Sequence, residues 1–219
     1  MRPAAIVFDL YGTLIDISSL RAIVALHAES PEQFVQLWRD RQLALAFAAG
    51  SSNTYADFDE LTARALDETA TRLHVTLAAG GRDALLGGWT RAEFFTDVKP
   101  TIAALKSRGL RSAVLTNGTA RSARALLIHG GLMDAFDAVL TADIVQRYKP
   151  EEAVYGLVTS HYHCAPHEVV FISSNDWDAS GAARVGFRSI WCNRGAFGSR
   201  RPERTITTLA QLLPMLDNE

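Results

Sequence analysis

Four short segments of this chain carry residue types that could do chemistry together. Asp9 follows the apolar run Ala4-Ala5-Ile6-Val7-Phe8 and opens the turn Leu10-Tyr11-Gly12-Thr13. An apolar run of that length suits a strand buried on both faces, and Gly12 permits a sharp exit that leaves the carboxylate accessible at the strand's carboxyl end. Open α/β sheets bind their ligands at that end, so Asp9 reads as a carboxylate nucleophile. Val114-Leu115 leads in the same way into Thr116-Asn117-Gly118-Thr119, a hydroxyl, an amide and a flexible turn ahead of a helix. Free backbone N–H groups at a helix start hold anions such as a carboxylate or phosphate, although turns are rich in these residues whatever they do.

Lys149, within Gln146-Arg147-Tyr148-Lys149-Pro150, precedes a helix begun by Pro150. A lone lysine is most often a solvated surface charge. Brought near Asp9, its ammonium would hold the carboxylate ionised and offset charge as it reacts. Phe171-Ile172 leads into Ser173-Ser174-Asn175-Asp176-Trp177-Asp178. Of the two aspartates, Asp178 is expected at the N-cap of the next helix, fixed by backbone donors and facing the site, and Asp176 is expected in solvent. The small residues Ala179-Ser180-Gly181-Ala182-Ala183 suit a helix packed tightly on a sheet.

The elements that must position these groups can be read from periodicity. Beyond Thr13 the strand pattern stops, and helical spacing appears in Leu20, Ile23, Val24 and His27, in Phe34, Leu37, Trp38 and Arg41, and in Phe58, Leu61, Ala65 and Leu66. Ser30-Pro31-Glu32-Gln33 is a helix start, with a serine N-cap and proline at the first helical position. Gly50-Ser51-Ser52, Gly80-Gly81 and Gly87-Gly88 are expected to mark loops. From Lys99-Pro100 onward, helices expected at 101–108, 120–129, 151–163 and 179–185 alternate with strands expected at 110–115, 136–140, 169–172 and 189–192. That alternation implies an α/β fold with a Rossmann-like, doubly wound parallel sheet. The core is expected to be discontinuous, residues 1–15 with 96–219, and residues 16–95 to form an inserted helical cap.

Composition narrows the function. The chain has 219 residues, enough for one sizeable core with an insertion. Its formal net charge of −2 and scattered basic residues give no nucleic-acid footprint. The one basic cluster, Arg200-Arg201 with Arg204, is interrupted by Pro202 and Glu203 and reads as a solvated loop. Neither a membrane-length apolar run nor a signal pattern is visible, so a cytoplasmic protein is expected. Cys164 and Cys192 signal neither a disulfide framework nor a zinc site. His161 and His163 are spaced so that one helix points them apart, and all six histidines read as structural or exposed.

Taken in order, the segments resemble the haloacid dehalogenase superfamily, whose first motif is usually Asp-x-Asp-Gly-Thr. The order and spacing of that family reverse the surface reading of Lys149. Here the second aspartate is Tyr11, and Ser173-Ser174-Asn175 stands where a metal-ligand carboxylate is usual. Phe8-Asp9-Leu10-Tyr11-Gly12-Thr13-Leu14, Tyr148-Lys149-Pro150 with Val154-Tyr155, Trp177-Asp178, the stretch 191–194, and the segments Leu37-Trp38-Arg39 and Arg41-Gln42-Leu43 are similar to the (S)-2-haloacid dehalogenase branch. The resemblance implies displacement of halide from a 2-halo carboxylic acid by Asp9, with inversion and an aspartyl ester that water hydrolyses, and it implies no metal and no cofactor. Thr13, Ser173 and Lys149 would orient Asp9, and Lys149, Asp178 and Asn175 would activate the water. Thr116 would bind the substrate carboxylate, and Arg39 with Asn117 would receive the halide. Tyr155 would support the polar site, and Leu10, Tyr11, Leu43, Phe58 and Trp177 would line the substrate. A homodimer is implied as well.

Superfamily phosphatases need an acid to protonate an alkoxide and carboxylates to hold Mg²⁺. Halide, a very weak base, leaves without such an acid if the carboxylate is oriented and stripped of water. A Mg²⁺-dependent phosphatase and a catalytically silent interaction protein are the alternative readings. Thr116, where the branch usually has serine, and the small-residue segment 44–52 bear on substrate choice. They leave room for another 2-substituted acid, a fluorinated substrate or a strained ring carbon bearing a carboxylate.

Overall fold

A computed structural model describes residues 2–52, 55–195 and 204–217; the basic stretch at 200–203 lies outside them. Strand β1 (Ala5–Phe8) is buried along its whole length. Ile6 and Phe8 join the larger apolar cluster and Ala5 and Val7 the smaller one on the opposite face, the two-residue period of a strand covered on both sides. The chain then runs through a 3-10 turn and helices α1 (Arg21–Val24), α2 (Pro31–Ser52), α3 (Phe58–Arg72) and α4 (Gly81–Trp89). It returns through α5 (Val98–Ser107), β2 (Ser112–Thr116), α6 (Ala120–His129), β3 (Ala138–Thr141), α7 (Glu152–Tyr162), β4 (Val169–Ser173), α8 (Asp176–Arg184), β5 (Arg188–Cys192), β6 (Thr205–Ile206) and α9 (Leu212–Asp217).

The strands pair in parallel in the order β3-β2-β1-β4-β5-β6. Side chains of α5 and α6 complete the larger cluster and those of α7 and α8 the smaller, so helices cover both faces. The strand order reverses between β1 and β4, and a crevice opens at such a reversal beyond the carboxyl ends. Phe8 is level with Val114 of β2 and Ile172 of β4. The residues that follow these three strands therefore arrive at one edge of the sheet.

The helical segment leaves and rejoins the sheet side by side: Ile15 bridges Phe94, Asp16 N–H donates to Glu93 O (2.7 Å) and Phe95 N–H to Leu14 O (3.0 Å). Two expected loops are helical instead. Gly50-Ser51-Ser52 lies inside α2, because the alanine-rich run before it propagates the helix through weaker residues. Gly87-Gly88 lies inside α4, where a Cβ on Gly88 would come within 3.3 Å of Ile23 Cγ2, so the glycine serves close packing on α1. Helix α5 starts three residues before its expected position, since Pro100 in its first turn forfeits no needed N–H.

The loop after β5 is tied back to the start of α5. Arg194 Nη1 and Nη2 donate to Asp97 Oδ2 and Oδ1 (2.7 and 2.9 Å), and Asp97 also accepts from Thr208 Oγ1 (2.6 Å) and Leu209 N–H (2.8 Å). Burial alone would raise the Asp97 carboxyl, but Arg194, Thr208 and Leu209 outweigh it and hold the group below its ordinary value. A depressed carboxyl stabilises the fold above its unfolded pKa of about 4, and that contribution is lost as pH falls through the folded value. Asp97→Asn is therefore expected to lower Tm at neutral pH, with the gap to wild type closing at a pH acidic enough to protonate Asp97 in the fold. Thermal unfolding at the two pH values checks this, and an equal gap at both contradicts it.

Candidate active site

Asp9 sits one residue beyond β1, 5% exposed, with its N–H bonded to Ile172 O (2.9 Å). Its two carboxylate oxygens are held differently. Oδ1 accepts from Lys149 Nζ (2.7 Å), and Oδ2 accepts from Thr13 Oγ1 (2.9 Å) and Asn175 Nδ2 (3.0 Å). The turn that brings Thr13 under Asp9 is wound on Leu10, whose carbonyl accepts from Leu14 and Ile15 N–H (2.9 and 3.0 Å). Gly12 has φ +88°, a region that L side chains rarely adopt, and a Cβ there would meet Ser174 Oγ at 3.1 Å. Ser174 N–H in turn donates to Thr13 Oγ1 (2.8 Å), which fixes the threonine hydroxyl as a donor to Asp9.

Lys149 is 1% exposed, and its three ammonium protons have three acceptors: Asp9 Oδ1, Asp178 Oδ2 (2.7 Å) and Leu115 O (3.0 Å). Its own N–H donates to Asn117 Oδ1 (2.9 Å), so the loop after β2 positions the lysine backbone. Burial pulls the ammonium toward neutrality, but Asp178 and Asp9 more than offset it and Lys149 stays cationic, its pKa raised. Asp178 is fully buried, with Oδ1 accepting from Tyr155 Oη (2.7 Å). Burial, reinforced by Asp9, raises its carboxyl above the ordinary value against the pull of Lys149. Helix α8 passes close to this cluster because Gly181 has no side chain: a Cβ there would lie 2.5 Å from Tyr155 Oη and 2.7 Å from Pro150 Cβ.

Around the carboxylate, Thr116 is buried and its Oγ1 accepts from Gly118 N–H (3.0 Å). Tyr11 is 3% exposed, stacks on Trp89 with ring centroids 5.5 Å apart and lies 6.1 Å from Phe58. Burial, with Asp59 adding to it, raises the Tyr11 phenol, which stays protonated. The Arg39 guanidinium lies 5.9 Å from the Tyr11 ring centroid and donates from Nη1 to Gln42 Oε1 (2.6 Å). Burial lowers its pKa against the pull of Asp9, but a guanidinium remains charged. A cleft of about 420 Å³, lined by residues including Tyr11, Arg39, Leu43, Ser174, Asn175 and Arg194, reaches the Asn175 that bonds Asp9. Trp177, half-buried, meets Phe47 edge to face at 5.1 Å.

Most of the candidate residues thus converge on Asp9, with three differences from expectation. Ser173 does not bond Asp9; its Oγ accepts Asn175 N–H (3.1 Å), and the donor to Asp9 is Asn175. Asp178 is not an N-cap. The helix begins at Asp176 with Asn175 as its cap, so Asp178 is the third helical residue, and helical side chains lean toward the N-terminus and hence the strand ends. Leu10 has its side chain wholly in the larger apolar cluster, and its carbonyl shapes the turn. Sequence reasoning missed Ser174, Gln42 and Trp89. Only Gln42 had a signal, its i+3 spacing from Arg39 on one helix.

The haloacid dehalogenase-like hydrolase profile matches residues 3–186. An (S)-2-haloacid dehalogenase of Pseudomonas sp. (strain YL) is 39% identical over 191 residues, covering 86% of this chain and 82% of the relative. The (S)-2-haloacid dehalogenase 4A of Burkholderia cepacia is 33% identical over 97% of this chain and 94% of its own. The L-2-haloacid dehalogenase of Xanthobacter autotrophicus, solved with chloropropionic acid covalently bound, superposes with a TM-score of 0.90 at 27% identity over 99% of both chains. With 184 residues under the profile and relatives of this similarity along nearly the whole chain, the protein belongs to the haloacid dehalogenase-like hydrolases, in their (S)-2-haloacid dehalogenase branch.

Proposed function

We propose that the protein hydrolyses (S)-2-haloalkanoic acids to (R)-2-hydroxyalkanoic acids and halide through an ester on Asp9. The observation that carries this reading is the asymmetric holding of the Asp9 carboxylate. Oδ2 already accepts two hydrogen bonds, whereas Oδ1 accepts only that of Lys149 and keeps a lone pair for attack. Oδ1 forms the bond to C2 from the face opposite the halogen as the carbon–halogen bond breaks, which inverts C2. Thr116 Oγ–H, its acceptor role toward Gly118 filled, donates to the substrate carboxylate. Arg39 and the Asn117 side-chain amide receive the halide, and Tyr11, Leu43, Phe58 and Trp177 keep bulk water from the nucleophile.

In the second half, Oδ2 has become the ester carbonyl oxygen, and the two donors already on it, Thr13 and Asn175, are those an oxyanion needs. Water attacks Asp9 Cγ and gives its proton to Asp178. The Cγ–Oδ1 bond breaks, Lys149 protonates the departing alkoxide at Oδ1, and Asp178 returns the proton to Lys149 across their 2.7 Å contact. The product oxygen is the old Oδ1; the water oxygen stays on Asp9, which gives up the water's remaining proton to solvent as the hydroxy acid leaves and so returns to the carboxylate. Ser173 supports this step indirectly by fixing Asn175, and Tyr155 by fixing Asp178.

Mg²⁺ fits this donor set poorly. The Lys149 ammonium bridges Asp9 and Asp178, the two carboxylates a cation would need, and Tyr11 offers a phenol that stays protonated. Among the described residues no cluster of three metal-ligating side chains exists elsewhere. The helical segment 16–95 acts in this reading as a cap domain on a core of 1–15 and 96–219, since it supplies Arg39, Leu43 and Phe58. Among the described residues no helix is long and apolar enough to cross a membrane. Cytoplasmic residence and a homodimer belong to the same proposal, and light scattering reads the second.

Halide and phosphate release from (S)-2-chloropropionate and a panel of phosphate esters, with and without chelator, tests the reading. Chelator-resistant halide release, with the (S) enantiomer consumed and the (R) hydroxy acid formed, is expected. Halide release from no 2-halo acid, or chelator-sensitive phosphate release alone, overturns it.

A further inference from the structure

Helix α6 starts three residues after the Asn117 that holds the Lys149 backbone, and its first turn is gripped from the helical segment by one side chain. Asp59, in the first turn of α3, accepts from Thr119 Oγ1 (2.8 Å) and Arg121 Nη2 (2.8 Å) on Oδ2 and from Ser122 Oγ (2.7 Å) on Oδ1. Thr119 is also the N-cap of α6, accepting Ser122 N–H (3.1 Å), so Asp59 fixes the rotamer of the cap itself. Its charge lies against the positive end of the helix. The grip continues upstream: Tyr55 Oη donates to Asp143 Oδ1, whose Oδ2 accepts Ala120 N–H (2.9 Å), and Tyr148, next to Lys149, donates to Ala56 O. Tyr55 stacks on Tyr148 at 5.5 Å, and Phe58, the neighbour of Asp59, packs on both Tyr148 and Tyr11.

We propose that Asp59 is a positioning residue that clamps the helical segment onto the 116–119 loop and so sets the substrate-carboxylate cradle and the Phe58 wall together. This rests on the dehalogenase reading for what the cradle holds, but the clamp itself is a matter of geometry. Asp59 is placed to act through Thr119 and the α6 N-terminus rather than by touching substrate. Three hydrogen bonds from hydroxyls and a guanidinium to one carboxylate are of the charge-assisted kind. Losing them frees two elements that must meet to enclose a small acid, which weakens substrate capture more than the displacement that follows.

The test compares Asp59→Ala and Asp59→Asn with Arg121→Ala, which removes one exposed donor, and with Asp67→Ala, on the same helix as Asp59, which breaks a surface ion pair to Arg82 of α4. For (S)-2-chloropropionate, Asp59→Ala is expected to raise KM about tenfold with kcat changed less than about threefold. Asp59→Asn and Arg121→Ala are expected to give intermediate KM values, and Asp67→Ala a wild-type one. Backbone hydrogen exchange at 116–122 should quicken in Asp59→Ala while β4 stays protected. Wild-type KM together with wild-type exchange in Asp59→Ala overturns the proposal, as does a lowered Tm with the kinetic constants of the folded enzyme unchanged. If Asp59→Ala fails to fold, Arg121→Ala and Asp59→Asn decide by the same two readouts. Were the wild type to release no halide, the functional reading alone would fall, and the exchange measurement would still decide the clamp.

Discussion

Lys149→Met is expected to lower kcat/KM for a 2-halo acid more than about thousandfold while leaving the sheet assembled. Methionine nearly matches the lysine stem in length, so the effect isolates the ammonium. Without it, the buried carboxylates of Asp9 and Asp178 face each other across an unpaired space. Two such groups do not both stay ionised, and one takes up a proton. Asp178, the carboxyl that burial already raises, then accepts no proton from the attacking water, and the alkoxide at Oδ1 has lost its proton donor. The sign of the pH effect follows, because a carboxyl with a raised pKa ionises only as pH climbs. Residual activity of the variant should therefore rise with pH. Removing one partner from a buried ion cluster also costs about 3–5 kcal/mol, which thermal unfolding reads. Activity within tenfold of wild type would contradict the assignment of Lys149.

Asp9→Asn removes the attacking atom, and kcat/KM is expected to fall by more than about ten-thousandfold. The amide has to set its NH₂ against either Lys149 Nζ or the donors Thr13 and Asn175, so one of those contacts becomes donor against donor. Substrate binding should survive, since a negative charge near the substrate carboxylate has been removed. Isothermal titration with (S)-2-chloropropionate checks the second point and halide release the first. Retained turnover would mean that some other group, or water directly, attacks C2.

The parallel sheet was legible because β1, the centre of β2 and β4 are short apolar runs ending in polar turns and alternating with helical patterns, as strands buried on both faces are. The site was legible where a side chain sits just beyond a strand end, as Asp9 and Asn175 do, and at Lys149 through the family resemblance that reversed its surface reading. It was less so where a one-residue shift in a helix start changes what a side chain faces. Asp178 looked like an N-cap because small residues follow it, yet the helix starts at Asp176, three residues before its expected start, and the register turns its carboxylate onto Lys149. Ser173 misses its expected contact with Asp9 for a related reason. Neighbours on a strand point to opposite sides, and in the turn beyond β4 it is Ser174 that reaches Thr13. Trp89 and Asp59 left no local signal, since their partners Tyr11 and Thr119 are distant in the chain and only the tertiary fold brings them together. The glycines misread as loops show the limit of punctuation rules: in α4 Gly88 permits close packing on α1, and in α2 the alanines before Gly50 carry the helix through.

The ester on Asp9 makes one prediction about atoms that no direct hydrolysis shares. When excess enzyme meets (S)-2-chloropropionate in ¹⁸O-labelled water for a single turnover, the product oxygen comes from Asp9 Oδ1 and the solvent oxygen remains on the enzyme. Mass spectrometry of the product and of the peptide containing Asp9 should therefore find unlabelled lactate and one ¹⁸O in the Asp9 carboxylate. Label in the lactate with none on Asp9 would contradict the account, because water would then have attacked the carbon itself.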